Sequence, residues 1–183
     1  MLAKVRIIGS GLIGTSIGLG LVQQGIAVEM VDSDPSAQSL AKDLIGGVAV
    51  IDPELVIFAL PTSRLSQVIQ DEIALNPQST FMDVGSVKND VVLEVETVLA
   101  LSARFVPTHP MAGREIGGAG AARADLFQGR SWIVTPSADL ARESRALVEE
   151  LIEKLGATSI ELSPKDHDRA VAKISHLPQV AAS

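Results

Sequence analysis

The chain has 183 residues, enough for one domain with a real core, or for one domain and the start of a second. With 46% hydrophobic and 20% charged residues it is globular rather than disordered, and a net charge of -7 without a Lys/Arg run argues against nucleic acid as a partner. Cysteine is absent, which removes disulfides, thiolate nucleophiles and Cys-ligated zinc; no signal-peptide pattern or membrane-length apolar run is visible, so the expectation is a soluble cytoplasmic protein without membrane or metal partners.

Short β-branched runs alternate with helical patterns along the chain. Val5 to Ile8 reads as a buried strand, and Leu12 to Gln24 as a helix stopped by Gly25. Strands follow at Val28–Val31 and at Leu55–Leu60, the latter ending at Pro61. Thr80–Asp83, Arg104–Val106 and Ser131–Val134 continue the series, with helices between. Asp139 to Leu155 is an amphipathic helix, because Leu140, Leu147, Val148, Leu151 and Leu155 keep helical spacing. Thr158–Leu162 is a last strand. This order predicts an α/β fold, a doubly wound, mainly parallel Rossmann-type sheet with helices on both faces. The expected division is a dinucleotide-binding domain over residues 1–162 and the start of a helical domain over 163–183. Ser163, Pro164 and Asp166 open a well-capped helix there, and Ala170, Ile174, Leu177 and Ala181 form an apolar stripe along it.

Gly9-Ser10-Gly11-Leu12-Ile13-Gly14 follows the first strand and opens the first helix, the context a dinucleotide loop requires. Gly9 permits the tight turn, Gly11 lets a pyrophosphate approach the backbone, and Gly14 allows close helix–strand contact. The helix start at Leu12 and Ile13 offers free N–H groups and partial positive charge to phosphates. Asp32, at the end of the second strand, suits the adenine ribose hydroxyls and repels a 2′-phosphate; Ser33 rather than Arg follows it, so NAD is expected over NADP. A glycine turn without a cofactor is the bland alternative.

Three further clusters fall at strand ends, counted here as the fourth, fifth and sixth strands. Pro61 and Thr62 suit contact with the cofactor ribose or nicotinamide, or a simple turn with Thr as a helix cap. In Asp83-Val84-Gly85-Ser86-Val87-Lys88, Ser86 is placed to cap the next helix or to hydrogen-bond a substrate hydroxyl or the nicotinamide, and Lys88 reads as a solvated helix residue. His109 ends a strand, precedes a proline and opens a glycine-bearing loop, where functional groups concentrate. Its neutral imidazole suits a general base at cellular pH.

The ordered set GxGLIGxS (Gly9 to Ser16), Asp32, DVGSVK (Asp83 to Lys88), HPMAGxE (His109 to Glu115) and HDxAVAxxSHLP (His167 to Pro178) resembles the prephenate/arogenate dehydrogenase family over almost the whole chain. The resemblance implies oxidative decarboxylation of prephenate or arogenate in tyrosine biosynthesis, with hydride transfer to NAD(P). It implies His109 as the proton acceptor, Ser86 aligning hydroxyl and imidazole, and Glu115 at the mouth of the site. Ser175 and His176 line the substrate pocket by the same analogy, with a helix residue packed near Pro178 as the other reading of His176. His167 and Asp168 are expected to cap and orient their helix. Gln179 stands where many members carry a second histidine that contacts the substrate side chain. The family forms homodimers through a helical second domain, and this chain is expected to stop where that domain begins. The rival readings are another β-hydroxyacid-type dehydrogenase and a non-catalytic NAD-binding regulatory domain.

Overall fold

The computed structural model describes residues 1–96, 102–113 and 117–180, with backbone alone at 66, 67, 94–96 and 174–180. Among the described residues seven strands form one sheet in the order β2-β1-β3-β4-β5-β6-β7. They are β1 (Lys4–Ile8), β2 (Ala27–Val31), β3 (Leu55–Phe58), β4 (Thr80–Asp83), β5 (Phe105–Pro110), β6 (Ser131–Val134) and β7 (Thr158–Glu161). All neighbours pair in parallel except β5 and β6. The helices are α1 (Leu12–Val22), α2 (Pro35–Ile45), α3 (Leu65–Leu75), α4 (Asn89–Glu96), α5 (Arg142–Lys154) and α6 (Pro164–Val180).

The mainly parallel α/β sheet expected from the strand and helix order is what forms. Its central strands are apolar throughout because both faces are covered. Leu55 and Ile57 join Val5, Ile7, Met82 and Val106 on the face under α1 and α5. Val56 and Phe58 join Ile8, Phe81 and Phe105 on the opposite face, against α3 and α4. The stacked rings of Phe58, Phe81 and Phe105, with centroids 6.2 and 6.3 Å apart, thread three neighbouring strands on that second face.

The clusters expected after the fourth, fifth and sixth strands end β3, β4 and β5, because residues 46–54 form loop and turn rather than an intervening strand. The sheet therefore reverses direction beside β1: the chain goes from β1 outward to β2, then crosses back to β3 on the other side. Such a switch point leaves a crevice beyond the carboxyl ends of the two strands it separates.

The helix caps explain two other boundaries. Asp34 accepts from Ser36 N and Ala37 N to start α2, and Gly46 ends it in the left-handed region at φ 65°. Ser163 Oγ accepts from Asp166 N at 3.1 Å and donates to the Asp166 carboxylate at 2.7 Å, so Ser163 opens α6 as its sequence suggested.

Leu151 lies fully buried on α5 among the residues of the larger core, whereas Leu44 on α2 is 45% exposed. Leu151→Ala should cost about 2–5 kcal/mol, and Leu44→Ala less than about 0.5 kcal/mol, in urea unfolding. Equal costs would mean that α5 does not close the core.

Candidate active site

The glycine loop is fixed by sterics. Gly9 has φ +112°, and a Cβ there would lie 2.2 Å from the Ala59 carbonyl oxygen at the end of β3. A Cβ on Gly14 would lie 2.1 Å from the Gly9 oxygen and 3.0 Å from the Ala59 side chain. Gly11 differs: a Cβ there would meet nothing within 4 Å, so its backbone faces open space at the start of α1. Among the described residues no side chain caps α1, whose first residues are Leu12 and Ile13. Its leading amides are therefore available to an anion.

Asp32 stands just beyond β2 and joins the loop. Its carboxylate accepts from Ser10 N at 2.6 Å and from Asp34 N at 2.9 Å. A cleft of about 650 Å³ opens at the switch point, lined among others by Gly9, Gly11, Asp32, Ser33, Pro61 and Arg64. Arg64 donates to Ser33 Oγ at 3.2 Å across the cleft. Thr62 is the first residue of a short 3-10 turn whose capping position is Pro61, and Arg64 holds that position for α3, so Thr62 caps neither. Its hydroxyl lies 3.3 Å from where a Gly85 Cβ would stand, so the β3 and β4 loops meet there.

A buried ion pair organises the next strand ends. Lys88, read from sequence as solvated, is fully buried instead. Its Nζ donates to the Asp83 carboxylate and to the Thr108 carbonyl at 2.7 Å. Asp83 also accepts from Gly85 N at 2.9 Å and Thr108 N at 3.3 Å. Thr108 Oγ1 donates to the Asp83 carbonyl at 2.7 Å and accepts from Trp132 Nε1 at 2.9 Å. Burial pushes Lys88 down and Asp83 up from their ordinary ranges, each opposed by the other's charge. The reason for the misreading is geometric: the Lys88 backbone only leads into α4, while its side chain turns back under β5.

His109 follows Thr108 and lies opposite Ile133 of β6, half-buried at the sheet's carboxyl edge. Its Nδ1 is 2.9 Å from Nε2 of His167, which is fully buried. His167 Nδ1 is 2.7 Å from Asp168 Oδ1. Asp168 in turn accepts from the amides of Lys88 and Asn89, each at 2.9 Å. Asp168 thus caps α4 rather than its own helix, and it occupies the capping place considered for Ser86. Ser163 performs the capping of α6, so His167 and Asp168 do not have the local role expected of them. Burial would raise Asp168, yet the two amides and His167 hold it below the usual carboxylate range. Burial first, then any proton taken up by His167 and the charge of Lys88, push His109 down to about 4, so it is neutral at physiological pH.

The fold brings His109, Ser86, Asp32, Pro61, Thr62 and the glycine loop to one end of the sheet. Ser86 is exposed in the β4–α4 loop, and among the described residues the partner of the imidazole is His167. Glu115 lies outside the described residues. Ser175, His176 and Gln179 lie on α6, but their side chains are outside them too. Sequence reading missed the buried Lys88 and the His109–His167 contact. Asp83 and Lys88 at short spacing carried a usable signal; nothing local links residues 109 and 167. Among the described residues no group of three or more His, Asp or Glu could hold a metal, and no helix is long and apolar enough to cross a membrane.

The chain has clear relatives. The prephenate dehydrogenase nucleotide-binding domain matches residues 12–161. The probable prephenate dehydrogenase NovF of Streptomyces niveus is 37% identical over 96% of this chain and 49% of its own length. The prephenate dehydrogenase of Bacillus subtilis (strain 168) is 30% identical over 98% of this chain and 52% of its own length. The chain thus spans about half the length of the curated relatives it matches. A crystal structure of prephenate dehydrogenase from A. aeolicus, in complex with hydroxyphenyl propionate and NAD+, superposes with a TM-score of 0.88. That match has 27% identity and covers 100% of this chain and 67% of the other.

Lys88→Met would leave the Asp83 carboxylate buried without its cation, at a cost of about 3–5 kcal/mol. Urea unfolding at neutral pH should read that loss, and acid should shrink it as Asp83 protonates; an unchanged midpoint would refute the pairing. His109 gives a second test. Its ordinary value is 6.5 and its folded value about 4, so between them the unfolded chain binds the extra proton. Stability from this group is therefore present above pH 6.5 and lost as pH falls toward 4. His109→Asn should flatten that part of the profile.

Proposed function

The chain belongs to the prephenate dehydrogenase family, and from that premise we propose that it carries the nicotinamide-binding and proton-accepting half of an NAD-dependent oxidative decarboxylation of prephenate or arogenate. The observation that carries this reading is a neutral, half-buried His109 at the same sheet end as a glycine-loop cleft. NAD fits the cleft on this chain's own features. Gly11 leaves room at an uncapped helix start, and the Asp32 carboxylate on the cleft wall would accept from ribose hydroxyls. Asp32 favours NAD, with NADP as the alternative. Pro61 lines the cleft, and Pro61 and Thr62 would meet the cofactor's ribose or nicotinamide.

When bound, the nicotinamide cofactor supplies the two-electron acceptor. His109 accepts the proton of the substrate's ring hydroxyl at Nε2, the nitrogen not engaged by His167. The hydrogen on the same carbon leaves with its electron pair, the ring loses carbon dioxide, and aromatisation drives the reaction. The proton returns to the oxygen as the ring becomes a phenol, so none is released net. Ser86 orients the hydroxyl in this reading. Glu115 governs access of the anionic substrate, and Ser175, His176 and Gln179 line its pocket. Residues 1–162 are the dinucleotide-binding domain, and 163–183 begin the helical part through which the family dimerises. A cytoplasmic enzyme of tyrosine biosynthesis is the setting this chemistry implies.

The test separates binding from chemistry. NAD should bind the chain and its His109→Asn variant with the same affinity by calorimetric titration. NADH formation with prephenate or arogenate should fall by roughly 10²–10⁴-fold in the variant. Loss of NAD binding in the unaltered chain, or turnover unaffected by the substitution, would contradict the assignment.

A further inference from the structure

We propose that His167 and Asp168 form a positioning pair that fixes the tautomer of His109 and so decides which of its nitrogens is basic. This rests on the reading of His109 as the proton acceptor, and it adds two residues that the helix-capping expectation had set aside.

Asp168 anchors the pair. Its two oxygens accept the backbone amides of Lys88 and Asn89 at the start of α4, each at 2.9 Å. Two amide donors and the positive end of a helix favour the ionised carboxylate. An ionised carboxylate only accepts hydrogen bonds. The 2.7 Å contact to His167 Nδ1 therefore has His167 donating. His167 is fully buried, and in its neutral form a proton on Nδ1 leaves a lone pair on Nε2. That lone pair lies 2.9 Å from His109 Nδ1, which must then donate. Neutral His109 consequently carries its proton on Nδ1 and presents a bare Nε2.

The same chain acts when His109 gains a proton. The imidazolium keeps its Nδ1–H directed at His167 Nε2, and the Asp168 charge stabilises it through the intervening ring. Among the described residues the other charged group acting on His109 is Lys88, in the loop before α4, which is itself paired with Asp83 at the end of β4. Their mutual pairing leaves Asp168 as the carboxylate aligned with the two imidazoles. The pair lies on α6, while His109 lies on β5 and the anchoring amides open α4. The orientation of the base thus depends on three elements far apart in sequence.

The tautomer can be read in the resting chain by nitrogen NMR of histidines labelled with ¹⁵N, where protonated and bare ring nitrogens are well separated. This readout needs no turnover, so it stands or falls independently of the proposed reaction. In the unaltered chain at neutral pH, His109 should show a protonated Nδ1 and a bare Nε2. His167→Leu should abolish that single tautomer in favour of a mixture. His167→Gln, whose side-chain carbonyl can accept from His109 Nδ1, should restore it. Asp168→Asn should release the His167 tautomer and with it that of His109. A protonated Nε2 on His109 in the unaltered chain would overturn the proposal without any variant, and so would an unchanged tautomer in a folded His167→Leu or Asp168→Asn protein.

Discussion

A lysine ammonium with no access to water is the constraint on which the site is built. Lys88 would be strongly disfavoured there without Asp83, and Asp83 equally without Lys88. Satisfying both fixes more than one pair. The shared contacts with Gly85 and Thr108 join the end of β4 to β5, and Thr108 is tied onward to Trp132 of β6. His109 is the next residue after Thr108. The Lys88 amide is one of the two donors that hold Asp168. One ion pair therefore sets the position of the imidazole and of the carboxylate that lies behind it.

The cleft obeys a different logic. It needs no buried charge, because it arises where the sheet reverses between β1 and β3. Close approach of Gly9 and Gly14 to Ala59 brings the α1 start against the end of β3. Thr62 and Gly85 then link the cleft's far wall to the loop that leads to Lys88. The dinucleotide cleft and the histidine cluster are thus consecutive along one sheet edge, in the strand order β1, β3, β4, β5. This adjacency is what a reaction combining hydride removal with proton removal requires.

Much of this was legible in the chain itself. Strand and helix order set the parallel sheet, and GSGLIG placed the glycine turn, because these depend on local periodicity and on one steric demand per glycine. Asp32 and His109 were legible as strand-end residues. Lys88 was not, because a lysine near a helix start is ordinarily solvated, and its burial depends on a carboxylate and a carbonyl supplied by two strands. His167 was read as part of its own helix because its neighbours, Ser163 to Asp166, form a capping pattern. The contact that redefines it closes a separation of 58 residues, which no local pattern encodes.

Isotopic labelling tests whether this sheet edge couples proton acceptance to hydride transfer. Prephenate and arogenate carrying deuterium on the hydroxyl-bearing ring carbon would each be mixed with the chain and NAD, and the reduced cofactor examined by mass and by NMR. Deuterium is expected on the nicotinamide ring of the product, with carbon dioxide released in equal amount. A chain that binds NAD but returns no labelled reduced cofactor from either substrate would contradict this coupling.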